Sequence, residues 1–250
     1  MDKFKKYRSD ADYSYTLGLS PTVGLLAAMP RQVLCVCVSE RYVQRDEDLN
    51  IFERCEALGI RCERDERTIG RLADKENVYV IGIFEKYQSA LDPALPHAAL
   101  VCPGDMGNLG TIMRTACGFD YLDLALIEPA ADHFHPKAVR ASMGALFGMR
   151  VARFASFDEY LAAFPGRAIY PFMLDGRFEL HELAAPVQAA HTLVFGNEAT
   201  GLDGGFHAYG SSVRIAHSDR IDSLNLSVAF GVAACHFHAL SGKRHNPRSG

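Results

Sequence analysis

The stretch Leu193-Val194-Phe195-Gly196-Asn197-Glu198-Ala199-Thr200-Gly201-Leu202 decides the fold class. Its first three residues are apolar and predict a buried strand, which runs directly into a glycine-flanked turn that holds one carboxylate. Glycine lets the backbone approach a ligand closely, and ligands of open α/β sheets bind at the carboxyl ends of parallel strands. An ordinary strand exit with a solvated Glu198 is the alternative interpretation of this stretch.

The chain around this stretch alternates between short apolar runs and helical segments. The apolar runs predict buried strands at Ala98–Cys102, Leu122–Ile127, Ala168–Leu174, Leu193–Phe195 and Val213–Ile215. Helical segments are predicted over 108–118, 136–147, 156–164 and 223–240. Pro136 suits a first helical turn, and Ser156 with Glu159 forms a capping box. Such alternation predicts an α/β fold whose parallel sheet is covered on both faces.

Residues 1–95 predict a smaller α/β domain in front of this sheet. Strands are predicted at Arg31–Ser39 and Val78–Phe84, with a helix over 49–58 between them. Asp48 would cap that helix and Gly59 would end it.

The domain boundary is predicted from a proline-containing linker at 91–97. It separates the small domain from a second domain over 96–242, and residues 243–250 predict a flexible tail.

Composition narrows the class of protein. The 250 residues are 48% hydrophobic and 22% charged, which is typical of globular proteins, and the formal net charge is −4. No global basic field would attract nucleic acid, so any RNA contact must come from a local patch. The polar segment Met1–Asp10 predicts no signal peptide, and the polar residues within Leu224–Leu240 predict a buried helix rather than a membrane span. The seven cysteines, an odd number, favour reduced thiols in a cytoplasm.

Another stretch, Gly107-Asn108-Leu109-Gly110-Thr111-Ile112-Met113-Arg114-Thr115-Ala116, predicts the start of a helix. Asn108 is a suitable N-cap residue. Helical spacing predicts one buried face formed by Leu109, Ile112, Met113 and Ala116. Arg114 projects about 140° from Leu109 around such a helix, away from the buried face. A solvated arginine on an ordinary helix would also explain the stretch taken alone.

A further stretch, Ile221-Asp222-Ser223-Leu224-Asn225-Leu226-Ser227-Val228-Ala229, leads into the last predicted helix. Asp222 or Ser223 would serve as its N-cap. Asn225 and Ser227 are polar groups within an apolar segment and therefore need hydrogen-bond partners. Capping and packing between helices would also explain them without a functional role. In chain order, residues 107–116, 193–202 and 221–229 are referred to below as the first, second and third motifs.

Together the three motifs are far more specific than each alone. Their order, Asn-x-Gly-x-x-x-Arg, Phe-Gly-Asn-Glu-x-x-Gly-Leu and Ser-Leu-Asn-x-Ser-Val-Ala, resembles the SpoU/TrmH branch of the SPOUT RNA methyltransferases. The segment from Asp132 to Phe147 is similar to the same family. The resemblance covers about residues 97–240, and residues 1–95 resemble the small RNA-binding domain that many such enzymes carry.

The resemblance implies a fold, a cofactor and an assembly. It implies a parallel-sheet SPOUT domain with a trefoil knot, an exception to the rule that folds avoid threading. It also implies that S-adenosyl-L-methionine binds in the knot and that a homodimer builds each active site. By position, the backbones of Gly196, Ile215 and Leu224 would hold the adenine and ribose. The full set of implied cofactor-binding residues is Phe195, Gly196, Asn197, Gly201, Ile215, Ala216, Leu224 and Ala229.

The implied reaction is methyl transfer to a ribose 2′-hydroxyl of RNA. Arg114 matches the essential arginine of the family. Because a guanidinium does not readily lose its proton, we favour a role in binding phosphate or polarising the hydroxyl, with a general-base role as the alternative. The implied polar shell consists of Asn108, Glu198, Ser223 and Asn225. We expect Glu198 to orient Arg114 or Asn108.

The substrate is expected to be ribosomal RNA rather than transfer RNA, since an added domain gives a second grip on folded RNA. The alternative function is a catalytically inactive RNA-binding protein of the same fold. A Rossmann-type enzyme is disfavoured because Gly104, Gly107 and Gly110 do not follow Gly-x-Gly-x-x-Gly. The sequence differs from the family pattern at Ala199, where glycine is common, and over 216–220.

No metal is expected. His133 with His135, and Cys235 with His238, each lack the second Cys/His pair that a zinc site requires. The alternating charges over Arg61–Glu76 are interpreted as a solvated face rather than an RNA-binding track.

Overall fold

The computed structural model describes residues 4–43, 50–73, 77–184 and 187–241, and these fall into two compact units. The first unit contains the described residues up to 88 together with 109–114 and 132–148. The second unit contains those of 89–108, 115–131 and 149 onward. Short segments from the later part of the chain thus group with the N-terminal residues. Domains at 1–95 and 96–242 remain a prediction, and the expected tail at 243–250 lies outside the described residues.

The first unit is built on a four-stranded sheet. Its strands are β1 (Tyr13–Tyr15), β2 (Val33–Val38), β3 (Cys62–Arg64) and β4 (Val80–Glu85), in the order β1-β4-β2-β3. β4 is antiparallel to β1 and β2, and β3 is parallel to β2. Three helices accompany the sheet: α1 (Leu19–Ala28), α2 (Ile51–Ala57) and α3 (Glu66–Leu72). The predicted strands at 31–39 and 78–84 are therefore confirmed.

Alternation along β2 explains how this sheet is covered. Cys35 and Cys37 point to one face and pack with Ile69 and Leu72 of α3. The intervening Val36 and Val38 point to the other face, in one cluster with residues of α2. Each face thus buries apolar side chains under a helix.

The helix predicted over 49–58 is shorter, and Asn50 caps it by accepting hydrogen bonds from the amides of Phe52 (3.1 Å) and Glu53 (3.4 Å). Gly59 follows it with φ +66°, as predicted for a helix end. Asp48, the predicted cap, lies outside the described residues. The charged stretch beginning at Arg61 contains β3 and α3, two elements that its alternating charges concealed.

The second unit contains a five-stranded sheet, which confirms the prediction of a parallel α/β fold. Its strands are β5 (His97–Val101), β6 (Asp123–Ile127), β7 (Arg150–Phe154), β8 (Ala168–Pro171) and β10 (His191–Phe195). They are all parallel, in the order β7-β6-β5-β10-β8. A two-stranded parallel pair joins β9 (Phe178–Glu179) to β11 (Val213–Arg214). The later helices of the described chain are α4 (Met106–Gly118), α5 (Pro136–Ala141), α6 (Phe157–Ala163) and α7 (Leu226–Leu240). Of these, α5 and residues 109–114 of α4 belong to the first unit.

Both faces of the five-stranded sheet are covered. Ala99, Ala125 and Val194 share a buried cluster with Phe157 and Tyr160 of α6. On the opposite face, Phe230 of α7 packs edge-on against Phe195 of β10, with ring centroids 5.6 Å apart. Among the described residues, no helix is both long enough and apolar enough to cross a membrane.

Several predicted element ends are corrected by the structure. The helix predicted over 136–147 ends at Ala141, because Met143 (φ +53°) and Gly144 (φ +95°) adopt left-handed backbone that a helix cannot continue through. A short 3₁₀ helix, Ala145–Gly148, follows. The predicted strand Ala168–Leu174 ends at Pro171, where the chain turns towards β11.

Candidate active site

A cavity of about 360 Å³ lies in the second unit at the carboxyl ends of β8 and β10. Four segments line it: Phe172–Asp175 after β8, Phe195–Leu202 after β10, Val213 with Ile215 and His217, and residues from Ser223 to Ala229. One wall is aromatic, since the rings of Phe172 and Phe195 stack with their centroids 4.5 Å apart. The volume and the mixed apolar and polar lining suit a small-molecule site.

The turn after β10 is held by tight backbone packing. A Cβ on Gly196 would lie 2.1 Å from the carbonyl carbon of Gly201, so only glycine fits there. Gly201 itself has φ +67°, and its amide donates to the carbonyl of Asn197 at 2.9 Å. Ala199, where the family favours glycine, is exposed and is not one of the described residues with positive φ. The substitution at position 199 is therefore compatible with the turn.

The side chain of Glu198 connects this turn, through hydrogen bonds, to the loop that precedes α4 and to Asn108. Its carboxylate accepts hydrogen bonds from the amides of Gly104 (3.0 Å) and Asp105 (3.1 Å) and from Nδ2 of Asn108 (3.3 Å). Burial alone would raise the pKa of Glu198, but these hydrogen bonds, led by the one from Gly104, hold the pKa below its ordinary value. Glu198 is therefore an ionised acceptor at neutral pH.

Asn108 and Asn225 connect the first motif to the third. Nδ2 of Asn225 donates to Oδ1 of Asn108 at 3.2 Å. Oδ1 of Asn225 in turn accepts from the amide (2.9 Å) and the hydroxyl (2.7 Å) of Ser227. A continuous chain of hydrogen bonds thus joins Glu198, Asn108, Asn225 and Ser227, and it includes residues of all three motifs.

Two predicted helix caps are wrong. Asp105, not Asn108, caps α4 by accepting from the amide of Asn108 at 2.7 Å. Asn225, not Asp222 or Ser223, caps α7. In both cases the helix starts at a different residue from the one that spacing alone suggests. As a result the side-chain amide of Asn108 is available for Glu198 and Asn225.

Asn197 forms a second link between the turn after β10 and the end of β5. Its Nδ2 donates to the carbonyl of Cys102 at 2.7 Å, and its Oδ1 accepts from the amide of Ala199 at 2.8 Å. Cys102 has φ +53°, a strained conformation for a residue with a side chain. The sequence carried no signal for this strain, because cysteine is not typical of left-handed positions.

Arg114 lies on the exposed side of α4, as the helical spacing predicted. The four residues of the predicted buried face, Leu109, Ile112, Met113 and Ala116, are all fully buried. Arg114 belongs to the first unit, and among the described residues it makes no hydrogen bond or ion pair. Its guanidinium is therefore available to a ligand.

The structure brings most of the predicted cofactor residues to one cavity. Gly196, Ile215 and Leu224 line it from three separate segments. The other predicted residues in the lining are Phe195, Asn197, Gly201 and Ala229, together with Glu198 and Ser223 of the predicted polar shell. Ala216 is exposed and lies outside the lining.

The wall that follows β8 was not predicted from the sequence. Residues Phe172–Asp175 were assigned largely to a strand, although Gly176 was a signal for a turn. A Cβ on Gly176 would lie 2.4 Å from the carbonyl carbon of Val213, so the turn is pressed against β11.

Within the described ranges, no three His, Cys, Asp or Glu residues are grouped to hold a metal ion. Nδ1 of His135 instead accepts a hydrogen bond from the amide of Lys137 at 3.1 Å and caps α5.

The fold and the cavity define an α/β protein with a ligand site at the carboxyl edge of a parallel sheet. Residues 96–235 match the model of the SpoU rRNA Methylase family. The chain belongs to this family.

Curated relatives include two ribosomal RNA methyltransferases. The chain is 29% identical over 135 residues to the 23S rRNA (guanosine(2553)-2′-O)-methyltransferase RlmP of Bacillus subtilis, covering 53% of each chain. It is 30% identical over 129 residues to the ribosomal RNA small subunit methyltransferase G 2 of Syntrophobacter fumaroxidans, covering 52% of this chain and 24% of that protein. The chain therefore spans about half or less of the length of these relatives.

Solved structures share the fold over nearly the whole chain. The SpoU methyltransferase AviRb of Streptomyces viridochromogenes, in complex with AdoMet, has a TM-score of 0.78 at 19% identity, covering 95% of this chain and 94% of that one. An AdoMet-bound rRNA methyltransferase from Sinorhizobium meliloti has a TM-score of 0.75 at 24% identity, covering 91% and 87%. At these identities the likeness is one of fold.

Proposed function

We propose that this protein transfers a methyl group from S-adenosyl-L-methionine to a ribose 2′-hydroxyl of RNA. One observation carries the proposal: polar side chains of three motifs, spread over about 120 residues, form one hydrogen-bonded chain beside a ligand-sized cavity. Helix capping accounts for Asn225 and Ser227, but it does not account for the convergence of Glu198, Asn108 and Asn225. Residues that converge in this way beside a pocket are typical of a preorganised site.

The residue types that line the cavity suit the parts of the cofactor. The stacked rings of Phe172 and Phe195 offer an apolar wall for a flat base, and the backbones of Gly196, Ile215 and Leu224 offer hydrogen-bonding groups. When bound, the cofactor supplies an electrophilic methyl group on its sulfonium. Structures of AviRb and of the Sinorhizobium enzyme bound to AdoMet support the assignment.

Arg114 is proposed to handle the RNA. A ribose hydroxyl is a weak nucleophile and must be held in line and polarised. An exposed guanidinium donates up to five hydrogen bonds and suits a phosphate or a hydroxyl oxygen, whereas a guanidinium does not readily lose its proton to act as a general base. Ser223 lines the cavity and is proposed to belong to the same polar shell.

Ribosomal RNA is the proposed substrate, ahead of transfer RNA. The name of the Bacillus relative specifies a 23S rRNA 2′-O-methyltransferase. Residues 1–95 are proposed to bind RNA through local basic groups, since the net charge of −4 gives no general attraction. Arg31 and Arg67 are exposed in this region. Arg8 and Arg61 are less available, because Asp10 and Glu63 pair with them.

A trefoil knot and a homodimer are proposed as well. The meeting of Gly196, Ile215 and Leu224 and the close passage of Gly176 against β11 support a threaded cofactor region. α7 exposes Val228 (50%) and Val232 (42%) one helical turn apart, which suits burial against a second copy. Seven free cysteines support a cytoplasmic location.

Replacement of Arg114 separates an enzyme from an inactive RNA-binding protein. We expect Arg114→Ala to abolish methyl transfer while S-adenosylmethionine binds with near-normal affinity in calorimetry. Arg61→Ala, at an exposed arginine that already pairs with Glu63, should keep measurable turnover. Equal activity of Arg114→Ala and the wild type would refute the assigned role, and a wild type that binds RNA without transferring methyl groups would favour the inactive alternative.

The RNA species is tested by mapping ribose methylation across total RNA with and without the gene. A single 2′-O-methyl site lost from ribosomal RNA is expected. Loss of a site from transfer RNA alone would overturn the substrate assignment without affecting the proposed reaction.

A further inference from the structure

Asp175, His207 and Ser212 form a hydrogen-bonded relay in the second unit that none of the three motifs includes. Nε2 of His207 lies 3.1 Å from Oδ2 of Asp175, and its Nδ1 lies 2.8 Å from Oγ of Ser212. The hydroxyl of Ser212 also accepts from the amide of Arg177 at 3.1 Å. The relay therefore runs from a backbone amide, through a buried hydroxyl and an imidazole, to a carboxylate.

The direction of each hydrogen bond follows from the chemistry of the groups. The hydrogen bond from His207 lowers the pKa of Asp175, so this carboxylate is ionised and only accepts. Nε2 of His207 must then carry a proton. Because Ser212 receives the amide proton of Arg177, its own hydroxyl proton is free to point at Nδ1. With Nε2 donating to Asp175 and Nδ1 accepting from Ser212, every group of the relay has a hydrogen-bond partner, and the relay fixes the orientation of Oδ2.

The relay is not suited to nucleophilic catalysis. In a hydrolase triad the serine oxygen meets the substrate, but Ser212 is fully buried and its oxygen is already engaged. The exposed member is Asp175, whose side chain is 74% accessible and lines the cavity. The carboxylate is therefore the group that can meet a ligand.

The backbone holds Asp175 at the cavity. It lies in a tight turn that the amide of Gly176 closes by donating to the carbonyl of Met173 at 3.2 Å. The amide of Met173 donates to the carbonyl of Val213 at 2.9 Å, and Gly176 leaves no room for a Cβ against β11. The turn is thus anchored on both sides of Asp175.

Among the described residues that line the cavity, Asp175 and Glu198 are the two carboxylates. Glu198 already accepts from two backbone amides and Asn108, so its oxygens are occupied. The carboxylate of Asp175 accepts one side-chain hydrogen bond, from His207 on Oδ2. In the described part of the chain no side chain donates to its Oδ1. Asp175 is therefore the lining carboxylate with acceptor capacity for a ligand.

We propose that Asp175 binds the ribose hydroxyls of the nucleoside cofactor and that His207 and Ser212 are positioning residues for this carboxylate. The inference rests on the proposed function for the presence of an adenosyl ligand in the cavity. A carboxylate accepts hydrogen bonds from a vicinal diol, the same chemistry by which acidic residues recognise the ribose in dinucleotide-binding folds. The apolar wall of Phe172 and Phe195 beside the same turn would hold the base.

Calorimetry with adenosyl ligands tests the assignment on the full chain. The probes are S-adenosylhomocysteine, 5′-methylthioadenosine, which has no amino-acid part and no charge on sulfur, and the 2′,3′-dideoxy form of the latter. Loss of a hydrogen bond to a charged group corresponds to a factor of roughly 10 to 100 in affinity. We expect Asp175→Asn to weaken the first two ligands by about this factor and to leave the dideoxy ligand unchanged.

Two further variants separate direct contact from other causes. Asp219→Asn removes the same charge from the exposed segment between His217 and Ser223, which both line the cavity, and should bind all three ligands like the wild type. His207→Ala should weaken the diol ligands about tenfold or less, and His207→Gln, which can still donate to Asp175, should restore binding. Thermal melting of each variant checks that the fold is retained.

The outcomes distinguish this inference from the proposed function. Unchanged binding of 5′-methylthioadenosine by Asp175→Asn would overturn the inference while wild-type cofactor binding stands. A loss confined to S-adenosylhomocysteine would assign Asp175 to the amino-acid part and overturn the ribose contact. Equal losses in Asp175→Asn and Asp219→Asn would indicate a general charge effect and also overturn it. If the wild type bound no adenosyl ligand, both proposals would fail.

Discussion

Asn108 illustrates how one side chain can join elements that are far apart in the chain. Its amide nitrogen donates to Glu198 and its amide oxygen accepts from Asn225, so both ends of the side chain are used. An aspartate could not do this, because an ionised carboxylate only accepts. Asparagine at position 108 is therefore explained by its two partners, the acceptor Glu198 and the donor Asn225.

Glu198 gives the first prediction. In Glu198→Gln an amide NH₂ group replaces one acceptor oxygen and faces the amide donors of Gly104 or Asp105. We expect a loss of about 1–3 kcal/mol in the free energy of unfolding, and a loss of methyl transfer because the loop before α4 is released. Urea denaturation measures the stability. Glu56→Gln, at an exposed helical glutamate, should stay within about 0.5 kcal/mol of the wild type.

The pH dependence of the same pair of proteins gives a second prediction. Because the folded-state pKa of Glu198 is lowered, its contribution is fully present above the ordinary glutamate pKa and is lost as pH falls through the folded value. The difference in unfolding free energy between wild type and Glu198→Gln should therefore shrink as pH falls below about 4.3. A difference that grows with acidification would contradict an ionised, hydrogen-bonded Glu198.

At the scale of elements, the sequence predicted the buried faces better than the helix ends. The pattern of apolar residues located the buried face of α4 and four of the five parallel strands of the large sheet, because those depend on where apolar residues recur. The caps of α4 and α7 were misplaced by three residues or fewer, since Asp, Asn and Ser compete for the same position and only tertiary contacts choose between them. The wall after β8 was missed because its apolar residues resemble a strand.

Asn225 allows capping and the connection between motifs to be tested apart. Asn225→Asp keeps an acceptor for the amide of Ser227 but removes the donor to Asn108, whereas Asn225→Ala removes both. We expect the alanine variant to lose about 1 kcal/mol of stability and the aspartate variant to lose little. Both should lose methyl transfer. An aspartate variant with full activity would show that the hydrogen bond to Asn108 is dispensable.

The crossing of α4 and α5 depends on a glycine. A Cβ at position 110 would lie 2.4 Å from the carbonyl oxygen of Ala138 and 2.5 Å from Cβ of Ala141. We expect Gly110→Ala to destabilise the protein by about 1–3 kcal/mol, because backbone must move. Gly118→Ala, at the other end of α4 with nothing within 4 Å, should be neutral or stabilising by up to about 1 kcal/mol. Thermal unfolding of the two variants compares them, and equal stability would contradict the tight crossing.

At the scale of the whole molecule, a buried histidine at the amino-terminal end of the large sheet makes the free energy of unfolding depend on pH. Nε2 of His97 donates to the carbonyl of Asp92 (2.8 Å), and its Nδ1 accepts from the hydroxyl of Tyr160 (2.9 Å). Burial lowers the pKa of His97 to about 4. The folded protein thus holds a neutral imidazole that the unfolded chain would protonate.

Stability should therefore fall as pH drops from about 6.5 to about 4, where only the unfolded chain takes up the proton. A shift of this size corresponds to at most about 3 kcal/mol. His97→Gln, which can make both hydrogen bonds, should not show this part of the pH dependence. Parallel unfolding curves for the two proteins across this range would contradict the buried neutral histidine.

The covering helices of the large sheet and four of its five strands were predictable. The edge strand β7, which carries Arg150 and Arg153, was not predicted, and neither was much of the first unit. Its β3 and α3 are short and rich in charge, so their sequence does not distinguish them from a solvated loop. The grouping of residues 132–148 with the N-terminal residues also has no local signal, because it depends on contacts between distant parts of the chain. The part of the site formed by the three motifs was predictable from the sequence. The contributions of Asp175, which lines the cavity, and of Cys102, whose carbonyl accepts from Asn197, were not.

The central claim, methyl transfer to a ribose hydroxyl, is tested most directly by chemical analysis of the product. Purified protein is incubated with isotopically labelled S-adenosylmethionine and ribosomal RNA from cells that lack the gene, and the RNA is digested to nucleosides for mass spectrometry. We predict label in a single 2′-O-methylnucleoside, and none with Arg114→Ala. Label on a base, or no label in RNA while the cofactor binds, would contradict the account.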